Sequence, residues 1–117
     1  MTIKRGDVKA TKFGNVLSGR RLATVHPGEV LLKDFIEPLG LTRYRVAKSI
    51  GVPQRRVDEI CSGKRAVTAD TALRLGRFFS VEPQAWMNLQ AQYDLEVADR
   101  ELGSTARSEI VPLRDAA

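Results

Sequence analysis

The sequence predicts an all-α domain of five helices organised around a helix-turn-helix, and three observations carry that expectation. Residues 43–62 place small and branched apolar side chains where two crossed helices need them. Apolar residues elsewhere recur at helical spacing, as Ala72, Leu75, Gly76 and Phe79 do at i, i+3, i+4 and i+7. Threonines, prolines and glycines punctuate the apolar stretches at the positions where helices start and stop.

Residues 1–25 are rich in Gly, Lys and Thr with weak periodicity, and read as an arm with short extended pieces near Val16-Leu17 and Leu22-Val25. His26-Pro27-Gly28-Glu29 opens the first helix, whose apolar residues are Val30, Leu31, Phe35, Ile36 and Leu39. Pro38 and Gly40 close it. Thr42 is a good N-cap for the second helix, with Leu41 placed to staple onto Val46.

Counting from Arg43, a small residue stands fifth (Ala47) and a glycine ninth (Gly51). Branched apolars stand fourth, eighth, tenth, fifteenth and eighteenth (Val46, Ile50, Val52, Val57, Ile60). Ala47 permits close crossing, Gly51 suits the positive φ of a turn, and the branched residues fill the wedge between the helices. The recognition helix is expected from about Pro53 to Cys61, with Ser62-Gly63 ending it. Proline is acceptable in a first turn but leaves no Ser or Thr cap, so free N–H groups there suit a phosphate.

Thr68 caps a fourth helix with Asp70 in its first turn, favourable to the helix dipole. After the break at residues 80–83, a fifth helix is expected from Pro83 to Leu102, ending at Gly103, with Trp86, Leu89, Tyr93 and Val97 along one side. Residues 109–113, short, apolar and proline-limited, read as a docked tail or an edge strand. The expected division is therefore an arm at 1–25, a helix-turn-helix domain at 26–102, and a tail at 103–117 that is a candidate dimer contact.

The net charge of +5 is unevenly placed. Residues 1–25 hold six basic groups against Asp7, residues 26–65 eight against five acidic, and residues 66–117 five against eight. A basic first half and a mildly acidic second half suit a protein with one nucleic-acid face and another surface for a different task. No apolar run approaches the roughly 20 residues of a membrane span. The first residues lack the apolar core of a secretory signal, and the lone Cys61 makes no internal disulfide, so a reducing cytoplasmic setting is expected.

Gln54, Arg55 and Arg56 are the candidates for reading bases, since arginine can fork onto guanine O6/N7 and glutamine can pair with adenine. Lys64 and Arg65 are placed to touch phosphate, and Thr42, Arg43 and Arg45 to anchor the backbone. Asp58 and Glu59 point in different directions on a helix, so they read as selectors of DNA or as partners of nearby arginines. One histidine and one cysteine are too few for a metal site: His26 reads as a helix-start residue and Cys61 as packing at a helix end. Trp86 and Tyr93 read as core or dimer interface. No catalytic constellation, metal site or cofactor is expected.

His26-Pro-Gly-Glu29, the helix-turn-helix, Gly63-Lys-Arg65, residues 68–75, and Trp86-Met-Asn-Leu-Gln90 followed by Tyr93-Asp-Leu95 together resemble the HigA (VapI-like) antitoxins. These belong to the Xre, or lambda-repressor-like, class. The resemblance covers residues 25–95, and the segment around Glu109, Ile110, Pro112 and Leu113 is similar to that family's C-terminal end. It implies an all-helical homodimer that represses its own operon at a palindromic operator. It also implies a partner, a HigB toxin of the RelE-like kind that cuts mRNA. Pro53 departs from the polar cap expected there, and the basic arm is longer than many members carry. The arm residues Phe13, Val16, Leu17, Leu22 and Val25 are the expected toxin anchors; the alternative for the arm is a free basic tail that only adds non-specific affinity for DNA. The alternative is a solitary Xre-type repressor with no toxin.

Overall fold

The computed structural model describes residues 24–116, and among them every regular element is helical. Helix α1 opens at Pro27–Val30 and continues as a π-helical stretch, Leu31–Ile36. Helices α2 (Arg43–Ile50) and α3 (Gln54–Cys61) form the helix-turn-helix, followed by α4 (Ala69–Phe79), α5 (Pro83–Glu109) and a last single turn, α6 (Leu113–Ala116).

The π-helical stretch brings residues five apart onto the face that packs on the core. Val30, Leu31, Phe35 and Ile36 are all buried, which pairs residues five apart on one face. An α-helix turns about 100° per residue and would set such pairs roughly 140° apart. The wider turn closes with the Glu37 N–H donating to the Leu32 carbonyl and Leu41 to Ile36, each at 2.9 Å. Leu39, expected on the buried face, is instead 49% exposed in the turn that follows.

The caps are as the residue types require. Thr42 Oγ1 accepts the Arg45 N–H at 3.0 Å, and Thr68 Oγ1 accepts that of Thr71 at 3.4 Å. Gly51 ends α2 with φ of 75°, the left-handed conformation that the turn demands. Pro53 stands at the N-cap of α3, one place before its first turn, and supplies no side-chain hydrogen bond.

The five branched apolars and Ala47 of the helix-turn-helix turn inward, Val52 alone remaining partly exposed. Beneath them Phe35 meets Phe79 and Trp86 with ring centroids 5.1 and 5.2 Å apart. Helix α4 packs along α5, α2 crosses α3, and α1 touches both α3 and α5. Trp86 is thereby a core residue, while Tyr93 is half-buried against His26 at 4.9 Å.

Two expectations about the C-terminal half are corrected. Helix α5 does not stop at Gly103 but runs 27 residues to Glu109, about 40 Å, so the boundary expected at residue 103 falls inside a helix. Gly103 is buried there, close against the Asp99 carboxylate one turn earlier on the same helix. The apolar segment that follows makes no strand: Ile110 is extended, both it and Val111 are exposed, and residues 113–116 form a helical turn.

Candidate nucleic-acid interface

The eight candidate DNA-contacting residues come from the start of α2, the first turn of α3 and the loop after it. Thr42 caps α2, and Arg45 reaches down that helix to donate from Nε to the Ser49 hydroxyl at 3.2 Å. Arg43, also in the first turn, lies 3.2 Å from Asp58 of α3 as an ion pair rather than a directed hydrogen bond. Gln54 and Arg55 are exposed on the first turn of α3, whereas Arg56 is partly covered. Lys64 and Arg65 are exposed in the loop that Gly63 opens with φ of 80°.

Four of the five arginines of this face, Arg43, Arg55, Arg56 and Arg65, are tethered to carboxylates. Arg55 Nε donates to Glu59 at 3.0 Å, one turn further along α3, and Arg65 donates to the other oxygen of the same carboxylate at 2.8 Å. Hydrogen bonds from Arg65 and then Arg55 hold the Glu59 carboxyl below its ordinary range, so it stays ionised. Arg56 Nη1 donates to Asp70 Oδ2 at 3.2 Å, across to the first turn of α4. The two carboxylates on α3 thus diverge as neighbours on a helix must, Asp58 toward α2 and Glu59 toward the following loop.

Asp70 and Arg74 are the residues that sequence reasoning missed here. Arg74 Nη1 donates to the carbonyls of Ile50 and Gly51 at 2.8 and 3.4 Å, while its Nε donates to Asp70. The Asp70–Arg74 spacing of four residues was a legible signal for their own pairing. Nothing local signalled their reach to the turn and to Arg56.

Behind the face, the C-terminal end of α3 rests on the start of α1. His26 caps α1, its Nδ1 accepting the Gly28 N–H at 2.8 Å. Burial lowers the His26 pKa, against raising influences from Asp94 and Glu29. The Ile60 carbonyl lies so close over Gly28 that a Cβ built there would be 2.5 Å from the Ile60 carbonyl carbon. The loop is tied from the other side: buried Gln90 accepts the Val67 N–H at 2.8 Å and donates to Asp94 at 2.9 Å. Cys61, half-buried at the end of α3, has its thiol pushed up to about 11 by burial, so it is protonated and unreactive near neutrality.

Of the expected toxin anchors, Val25 alone lies within the described residues, where it is half-buried against the core. Phe13, Val16, Leu17 and Leu22 lie outside them. Among the described residues no helix is long and apolar enough to cross a membrane, and no group of three or more His, Cys, Asp or Glu could hold a metal ion.

An N-capped helix, a left-handed glycine turn and a second helix with its first turn exposed define the class: a helix-turn-helix protein. The helix-turn-helix family model matches residues 32–86. Virulence-associated protein I of Dichelobacter nodosus is 40% identical over 92 residues, 79% of this chain and 83% of that protein. An addiction module antidote protein of the HigA family from Coxiella burnetii superposes with a TM-score of 0.73 at 38% identity, over 76% of this chain and 97% of that one. The Pseudomonas aeruginosa antitoxin HigA, solved with the higBA promoter, gives 0.76 at 36% identity, over 78% and 99%. Other matches carry only the name of a transcriptional regulator. The chain belongs to the HigA family of helix-turn-helix antitoxins.

Proposed function

We propose that this chain is the antitoxin of a toxin–antitoxin pair, which represses its own operon as a homodimer and neutralises a HigB/RelE-like ribonuclease in the cytoplasm. The observation that carries the DNA half is the first turn of α3. There Gln54, Arg55 and Arg56 surround a helix N-terminus without a side-chain cap, and Arg43, Arg45, Lys64 and Arg65 flank it. Such a turn suits the major groove, with base edges read by the first three and phosphates held by the rest and by Thr42. The solved relative with promoter DNA supports that reading.

Dimerisation is supported by the far half of α5 and the tail, where Leu95, Leu102, Ile110, Val111 and Leu113 stand exposed beyond what the core uses. A two-fold dimer needs half-sites about one DNA turn apart, roughly 34–36 Å. The toxin half rests on family membership and on the arm. Phe13, Val16, Leu17 and Leu22 supply apolar anchors, and the +5 charge of residues 1–25 argues against mimicry of RNA in a basic active site. Val25, the last of the expected anchors, is packed on the core.

Footprinting on the gene's own promoter tests the DNA half: palindromic protection is expected, and its absence overturns it. Co-expression with the neighbouring reading frame tests the toxin half. A basic ribonuclease that co-purifies with the full chain and is silenced by it is expected. Operator protection without any such partner favours the solitary repressor instead. Removal of residues 1–24 is expected to abolish neutralisation and leave operator binding intact.

A further inference from the structure

We infer that Asp70, latched by Arg74, is a positioning residue for sequence discrimination: it aims Arg56 and withholds it from phosphates. The inference rests on the DNA-binding reading above and deepens it.

The geometry is a continuous chain of contacts through three helices. It begins at the last carbonyls of α2 and the turn, where Arg74 Nη1 donates to Ile50 at 2.8 Å and Gly51 at 3.4 Å. A guanidinium there also neutralises the negative end of the α2 dipole. The same guanidinium donates from Nε to both oxygens of Asp70, at 3.2 and 3.1 Å. Asp70 Oδ2 in turn accepts Arg56 Nη1 at 3.2 Å, so the carboxylate is shared by two arginines.

Arg56 is the most covered of the four paired arginines on this face, its side chain 32% exposed against 48% for Arg43 and Arg65 and 84% for Arg55. A free arginine surrenders much rotamer freedom when it grips a base, and one already held by a carboxylate, as Arg56 is by Asp70, surrenders less. The carboxylate also sets a threshold. A phosphate brings a second negative charge up to the Asp70 carboxylate and must displace it from Arg56, whereas an uncharged guanine edge can accept from the guanidinium donors that Asp70 leaves free. Asp70 thereby weakens binding to wrong sequences more than to the operator.

The test compares affinity for the footprinted promoter fragment with affinity for a scrambled fragment of equal length. Asp70→Asn is 57% exposed as a site, in the first turn of α4, so the variant is expected to fold, and melting checks this. Scrambled-DNA affinity is expected to rise, and the operator-to-scrambled ratio to fall about tenfold, the scale of one base contact. In an Arg56→Gln background the same Asp70→Asn change is expected to leave the ratio unmoved, since the residue it positions is gone. Arg74→Lys keeps the charge but not the fork, and is expected to lower the ratio in the same direction. Equal weakening of both DNAs by Asp70→Asn, or an unchanged or higher ratio, overturns the inference and leaves DNA binding standing. A wild-type chain that does not distinguish the two fragments overturns both.

Discussion

Gly28→Ala should be among the most damaging small substitutions in this chain, although Gly28 sits in an ordinary helical turn. The added Cβ would lie 2.5 Å from the Ile60 carbonyl carbon and closer still to its oxygen. Ordinary contact requires about 3.5–4.0 Å, so α1 and the end of α3 must separate by about 1.5–2 Å to clear the oxygen. Both partners are backbone, and no side-chain rotation relieves the clash. The Ile60 carbonyl also accepts the Gly63 N–H at 3.0 Å, a bond that the shift strains. Overpacking of about 1–3 kcal/mol plus a weakened hydrogen bond of about 1 kcal/mol gives a loss of roughly 2–4 kcal/mol. For a domain of this size that lowers the melting temperature by roughly 10–25 °C. Gly40→Ala is the matched control: φ is +67° there and nothing lies within 4 Å of the new Cβ, so only the left-handed penalty of about 1 kcal/mol applies. Thermal unfolding by circular dichroism separates the two. A Gly28→Ala variant that melts no lower than Gly40→Ala refutes the claim that close approach, rather than backbone conformation, selects glycine at residue 28.

Burial lowers the His26 pKa, so the unfolded chain binds the proton more tightly; stability is full above the unfolded value and falls as pH drops through it toward the folded value. His26→Asn keeps a cap acceptor without titrating, and its melting temperature should lose that part of the acid dependence; an identical slope in both proteins would exclude His26 as its source. Operator affinity of the wild type should drop on the order of a thousandfold between 50 and 200 mM salt if about six phosphates are neutralised, as read by fluorescence anisotropy. Arg56→Ala should cost roughly 1–3 kcal/mol on the operator and relax sequence choice, whereas Arg65→Ala should weaken all sequences alike; the same profile for both would remove the distinction. Deletion of residues 104–117, which cuts α5 short of Glu109 and removes the exposed tail, should yield a folded monomer or a far weaker dimer; an unchanged dimer in light scattering would place the interface elsewhere.

Wherever the physics was local, the residues determined the outcome by themselves. Thr42 and Thr68 cap because a threonine oxygen reaches the N–H three residues on, and Gly51 turns because it lacks a Cβ. Val46, Ile50, Val57 and Ile60 are buried because their spacing gives each helix one apolar stripe. The same locality made the candidate DNA face legible, since its eight residues cluster in two helix starts and one loop. The family was legible for a related reason: short motifs at set spacings carry it.

What only the tertiary structure decided depends on residues far apart in the chain. The π-helical stretch of α1 answers to what Phe35 and Ile36 must reach across the core, not to their propensities. Gly28 looks like any glycine until Ile60, thirty-two residues away, is laid over it. Arg74 meets Ile50 and Asp70 meets Arg56 only after α4 has docked. Sequence patterns report the periodicity of one helix at a time. Which charge faces which, and which backbones touch, is fixed by how the helices cross.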